Sequence, residues 1–291
     1  VAAALAARRR AAAASLPMPP DAEAAVDEEV PVVAVAPPPA PSPESPLALA
    51  GADERRFGER RAASWPAGSP RTVAVGAPPL VCCLFAAPLA WQDAAGALHG
   101  IEALDGDAER AAIAAALEDR RAAPDGRDRV KLDFRAATTE ALQSALTSGC
   151  RVLHYSGHGH PQCLTFEDGR GGLQPVPPSR LEALVRPRPP ALAFVCACHS
   201  ERAAHALVKA GVRHVVAVSL DAPLLDAAAV AFTRAFYQAI AVGDGVKRAF
   251  DSGVASVAAS PRVAGAGGDA ATKADKFLLL PADGDHGARL L

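Results

Sequence analysis

The sequence predicts an α/β protein with a mostly parallel sheet and helices on both faces, preceded by a disordered N-terminal segment. Three observations lead there. From Pro79 onward, short apolar runs alternate with helix-length amphipathic stretches, the order that generates parallel strands joined by helical crossovers. The apolar runs are rich in Val, Leu, Phe and Cys without polar alternation, as strands covered on both faces require. Residues 1–78 lack this texture. They form an Ala/Pro-rich linker or tail, leaving residues 79–291 as the folded domain.

The N-terminal segment opens on VAAALAARRRAAAAS, which is free of acids. That fits either a transit-peptide-like segment or a helix of a longer protein, and a first residue of Val rather than Met suggests a fragment or a processed product. PVVAVAPPPAPSPESP follows. Its prolines cannot continue a helix or donate to a sheet ladder, so it reads as an extended linker.

The first strand is Leu80–Ala86, LVCCLFA. Asp107–Arg121 is a helix with Ala, Ile and Leu on one face and Asp, Glu and Arg elsewhere. Val130–Phe134 is the second strand. Thr138–Ser148 is a helix with Thr138 or Thr139 as N-cap and Gly149 as its stop. Arg151–Tyr155 is the third strand, and Leu164–Gly172 a hairpin whose glycines supply positive φ. Ser179–Val185 is a short helix ended by the prolines from Pro187. Ala191–Cys196 is the fourth strand. Ala203–Ala210, His214–Val218, Leu225–Val242 and Gly245–Ala259 continue as helix, strand and two helices, and Phe277–Leu280 is a last strand.

Composition narrows the function. The 30 basic and 32 acidic residues nearly cancel, so neither a nucleic acid nor an anionic membrane is an expected partner. No apolar run reaches the about 18 residues needed to span a bilayer. The six cysteines have no disulfide-framework spacing, and reduced thiols point to an intracellular, cytoplasmic setting. There is no G-x-G-x-x-G or G-x-x-x-x-G-K-[ST] phosphate loop.

Chemistry on such a sheet gathers beyond the carboxyl ends of the strands. Two loops there are informative: His154–His160, HYSGHGH, and Cys196–Glu201, CACHSE. They would bring an imidazole to a thiol, the pairing that nucleophilic catalysis by cysteine needs. Gly157 and Gly159 allow a sharp turn and a close substrate approach. The N–H groups of Gly159 and Cys198 could face an oxyanion. Cys198 lies in the turn, whereas Cys196 is still in the strand and should face the core. His154 reads as structural, bonding backbone. His160 and His199 read as exposed loop residues, and Glu167 and Asp168 as hairpin acids. Zinc is the rival use of His154, His158, His160, Cys163, Cys196, Cys198 and His199, but their spacing matches no zinc ribbon or H-E-x-x-H helix.

LHYSGHG (Leu153–Gly159), LTFEDG (Leu164–Gly169), ACHS (Ala197–Ser200), KAGVRHVVAV (Lys209–Val218), Asp226–Val246 and KFLLLPADGDH (Lys276–His286) together resemble the CHAT domain. This is a caspase-like peptidase module related to caspases and metacaspases. The resemblance covers roughly two thirds of the chain, in the family's motif order. It implies a caspase-like fold and a cysteine endopeptidase acting on a protein or peptide. His158 would be the catalytic histidine, Cys198 the nucleophile, and Gly159 with Cys198 the oxyanion donors, with no metal or organic cofactor. The different-class alternative is a non-catalytic CHAT-like interaction module. Metacaspases carry a P1-binding acid two residues before the nucleophile. Cys196 stands there, leaving Asp221 or Asp226 as substrate-binding acids. Family members often accompany tetratricopeptide repeats, which would be a region or partner outside this chain.

Overall fold

The structure, a computed structural model, describes residues 79–93, 95–102, 104, 106–118, 130–219, 226–265 and 270–291. The expected N-terminal segment and Asp221 lie outside the described residues. All described residues fall in one compact unit.

The central sheet has six strands. In chain order they are β1 (Leu80–Phe85), β4 (Lys131–Ala136), β5 (Cys150–Ser156), β9 (Leu192–Cys196), β10 (His214–Val218) and β11 (Phe277–Leu280). Their spatial order is β11-β10-β9-β5-β1-β4. The neighbouring strands from β4 to β10 run parallel, and β11 closes the edge antiparallel to β10. This is the predicted fold class. Two small antiparallel units flank it: the hairpin β2 (Ala90–Gln92) with β3 (Leu98–Gly100), and the sheet β6 (Gly159–His160), β7 (Cys163–Glu167) and β8 (Leu173–Val176). The sequence reading missed the β2–β3 hairpin because its residues are half or fully exposed, so no apolar alternation marks it.

The strand pleat explains the two-sided core. On β1, Val81, Cys83 and Phe85 pack into one layer, while Leu80, Cys82 and Leu84 pack into the other. The first layer lies beneath α1 (Asp107–Ala116), α5 (Asp226–Ala241) and α6 (Val246–Ala258). The second lies beneath α2 (Thr139–Thr147), α3 (Pro178–Val185) and α4 (Glu201–Lys209). Aromatic rings fill the α5 side, with Phe232 stacked on Phe277 at 4.0 Å and Phe194 edge-on to Phe236 at 5.4 Å. Two further short helices, α7 (Pro261–Gly265) and α8 (Ala270–Ala274), precede β11.

Local signals hold where they have a distinct physical cause. Thr138, of the two cap candidates, accepts from the Ala141 N–H at 3.0 Å, and Gly149 takes φ 81° just beyond α2. The hairpin acids act on backbone. Asp168 Oδ1 accepts from Arg170 and Gly172 N–H at 2.7 and 2.8 Å, and Glu167 Oε1 from Ala87 N–H at 2.8 Å. Two expectations of exposure fail. Glu109, placed off the apolar face of its helix, is 5% exposed. His160 and His199, read as exposed, are half-buried, and His160 belongs to β6.

Candidate active site

The parallel register places the ends of β5 and β9 side by side, with Ser156 opposite Cys196. The HYSGHGH and CACHSE loops therefore leave the sheet as neighbours. The Gly157 N–H donates to the Cys196 carbonyl at 3.3 Å, joining the two turns. One residue beyond His158, an added Cβ on Gly159 would sit 1.7 Å from the Cys198 carbonyl oxygen and 2.6 Å from its nitrogen. At Gly157 a Cβ would meet the Tyr155 hydroxyl at 2.6 Å and Ala86 Cβ at 2.8 Å. Neither glycine has positive φ, so both are required by close approach rather than by backbone conformation.

His158 is half-buried between β5 and β6. Its Nε2 lies 2.7 Å from the Glu102 carbonyl oxygen. A carbonyl only accepts, so Nε2 carries the proton and, in the neutral ring, Nδ1 keeps the lone pair. Thr165 Oγ1 donates to the His158 carbonyl at 2.8 Å, tying this turn to β7.

Cys198 is half-buried in the turn between β9 and α4, and the other five cysteines are buried. Burial pushes Cys82 up to about 11 and Cys150 and Cys163 up to about 12. It pushes Cys83 and Cys196 well above the ordinary thiol value, with the Glu109 charge adding to the effect at Cys196. These five are thiols at neutral pH and poor nucleophiles. Cys196 packs into the α1/α5 layer, as strand alternation predicts. The Cys198 turn is held by Ser200, whose Oγ accepts from Val218 N–H at 2.9 Å and lies 3.3 Å from the Val195 carbonyl. His199, next to Cys198, takes φ 57°, a left-handed conformation that costs a non-glycine residue about 1–2 kcal/mol.

Several contributors were not singled out from sequence. Glu102 acts through its backbone, which leaves no residue-type signal. Lys276, 8% exposed, heads β11, and its carbonyl accepts from Ser219 N–H at 2.9 Å. Burial and the neighbouring Lys273 lower its ammonium, while the Cys198 charge acts in the opposite sense, so Lys276 is within electrostatic reach of Cys198. Asp226 is the first residue of α5, and its charge reaches Cys196. His154 does not bond backbone as expected. It is fully buried, stacked on Phe194 at 4.8 Å, with Nδ1 3.3 Å from the Tyr237 hydroxyl and Nε2 3.3 Å from Glu109 Oε1.

Among the described residues, no group of three or more His, Cys, Asp or Glu side chains could hold a metal ion. No described helix is long and apolar enough to cross a membrane. A cavity of about 400 Å³ is lined by Asp244, Lys247, Arg248, His286 and Arg289, among others, and by neither His158 nor Cys198.

No curated protein matches the sequence. In fold the chain is similar to the Arg-specific cysteine proteinase gingipain R (RgpB). The TM-score is 0.51 at 16% identity, over 75% of this chain and 49% of that one. The complex of Porphyromonas gingivalis RgpB pro- and mature domains matches at TM-score 0.45 and 14% identity, over 73% of this chain and 48% of that one. The chain thus spans about half the length of these proteinase structures. The CHAT domain family matches residues 30–264, a span that contains β1 to β10 and both turns. A match over most of the chain, on a caspase-like sheet, places this protein in the CHAT domain family.

Proposed function

We propose that this protein is a cysteine endopeptidase that hydrolyses peptide bonds with a Cys198–His158 dyad. The observation that carries the reading is the packing of Gly159 against the Cys198 backbone, which makes the histidine turn and the cysteine turn direct neighbours. With Nε2 donating to Glu102, His158 offers Nδ1 to the thiol. The Cys198 proton passes to Nδ1 as Sγ attacks the scissile carbonyl carbon, and the N–H groups of Gly159 and Cys198 bind the oxyanion. The C–N bond then breaks, His158 protonates the leaving amine, and water hydrolyses the thioester to return the thiol.

The substrate is a protein or peptide. Its P1 side chain meets the loop after β10, with Asp221 or Asp226 replacing the acid that metacaspases carry where Cys196 stands. Six free cysteines suit a reducing intracellular compartment, and the partner is a tetratricopeptide-repeat region or protein outside this chain. The test is peptide-library hydrolysis by wild type, Cys198→Ala and Cys196→Ala. Turnover lost in Cys198→Ala and largely kept in Cys196→Ala supports the reading. A wild type that neither cleaves peptides nor reacts at Cys198 with an active-site thiol probe overturns it in favour of a non-catalytic interaction module.

A further inference from the structure

Beneath the two turns lies a carboxylate that the proposed chemistry does not use. Glu109 is on the inner face of α1, beside Ala112 and Ile113, which already dock that helix by apolar contact. Burying a carboxylate costs several kcal/mol unless it is well paired, so apolar docking alone does not call for one here.

Its partners are specific. Ser156 Oγ donates to Oε2 at 2.6 Å and Thr233 Oγ1 donates to Oε1 at 3.0 Å. His154 Nε2 lies 3.3 Å from Oε1, close enough for an ion pair but not aligned for a hydrogen bond. The Glu109 charge also reaches the Cys196 thiol, which it helps to push above the ordinary thiol value. Ser156 and Cys196 face each other across the β5–β9 register. Each stands two residues before a proposed catalytic residue, Ser156 before His158 and Cys196 before Cys198. The carboxylate therefore grips the end of β5, beside the end of β9, at the point where both turns leave the sheet. Glu109 also anchors α1, which follows directly on the segment whose Glu102 carbonyl accepts from His158.

We propose that Glu109 is a positioning residue for the Cys198–His158 pair: its carboxylate holds the end of β5 through Ser156, beside the end of β9, and its helix delivers the Glu102 carbonyl to His158. The assignment rests on the reading of His158 and Cys198 as the catalytic pair. Orientation of this kind is a large contribution to enzymatic rate, and an ångström of misplacement removes about a hundredfold of it. The carboxylate accepts from several donors at once. A Gln at this position keeps one acceptor oxygen, and an Ala keeps none.

The test compares wild type, Glu109→Ala, Glu109→Gln and Ile113→Ala. Ile113 is a fully buried apolar residue of the same helix, so its truncation reports loss of packing alone. Two readouts do not depend on turnover: the tautomer of the His158 ring by ¹⁵N NMR, and the rate of Cys198 alkylation by iodoacetamide. Wild type should show the Nε2–H tautomer. Glu109→Ala should lose that bias and slow alkylation by about tenfold or more. Glu109→Gln should show a smaller loss, and Ile113→Ala should keep both properties while melting at a lower temperature.

The proposal is overturned if both Glu109 variants keep wild-type values. It is also overturned if Ile113→Ala, at a matched loss of stability, shows the same changes. If Glu109→Ala does not fold, Glu109→Gln against Ile113→Ala decides. A wild type that cleaves no peptide, yet whose His158 tautomer depends on Glu109, would defeat the peptidase reading and leave the positioning role standing. Peptide cleavage indifferent to Glu109 would do the reverse.

Discussion

Gly159→Ala places one methyl group where the structure has no room. The new Cβ would start 1.7 Å from the Cys198 carbonyl oxygen, and real contacts stay beyond about 3.0 Å, so one turn must retreat by about 1.3 Å. The obstructing atoms are backbone, not the end of a flexible side chain, and cannot rotate away. Displacing a reacting group by an ångström costs about a hundredfold in rate, equivalent to about 2.7 kcal/mol of transition-state stabilisation. Overpacking should also remove about 1–3 kcal/mol of folding stability, which for a domain of this size lowers the melting midpoint by about 2–4 °C per kcal/mol. The assay is kcat/KM on a cleaved peptide, with Cys198 alkylation and thermal melting measured in parallel. Gly100→Ala is the control, because nothing lies within 4 Å of its added Cβ. If Gly159→Ala keeps kcat/KM and alkylation within about threefold of wild type while folded, the two turns do not work as one unit and the geometric argument fails.

In the native protein, iodoacetamide should modify Cys198 far faster than the five buried thiols, giving close to one label per chain by mass spectrometry and six in denaturant. Equal labelling of Cys196 would contradict the burial that separates the two. Burial pushes the Glu109 carboxyl up, but His154, Ser156 and Cys196 outweigh it and hold the group below its ordinary 4.5. The folded state therefore binds fewer protons than the unfolded chain below that pH. This contribution is fully present above 4.5 and is lost as pH falls through the depressed value. Denaturant titrations should show a shallower acid-side loss of stability in Glu109→Gln than in wild type, and parallel curves would show that Glu109 is not held ionised. Phe232→Ala, which removes the ring stacked on Phe277 and packed against Gly253, should cost about 3–5 kcal/mol in urea unfolding. A P1 profile of wild type, Asp221→Ala and Asp226→Ala should show preference for Arg or Lys falling about tenfold or more in one variant, as loss of a charge-assisted hydrogen bond predicts. A strong preference for Arg that survives both changes would place the acid elsewhere.

The sheet was legible because its signals are local. Leu80–Phe85, Leu192–Cys196 and His214–Val218 are apolar runs of strand length, and a strand covered on both faces can be nothing else once amphipathic helices separate the runs. Thr138 and Gly149 bound their helix by chemistry carried within a single turn. The positions of His158 and Cys198 in the chain also follow from where strands end, which is why the two loops could be picked out together. The arrangement around them depends on distant partners. A carbonyl bond from His158 to Glu102 leaves no trace in residue type, since every residue has that carbonyl. Glu109 looks like a solvent-facing acid on a helix until Ser156, Thr233, His154 and Cys196, drawn from two strands and another helix, converge on it. Periodicity and capping operate over a few residues and can be read in order along a chain. Pairing across the sheet is set by which faces the folded elements bury against one another, and that only the tertiary structure decides.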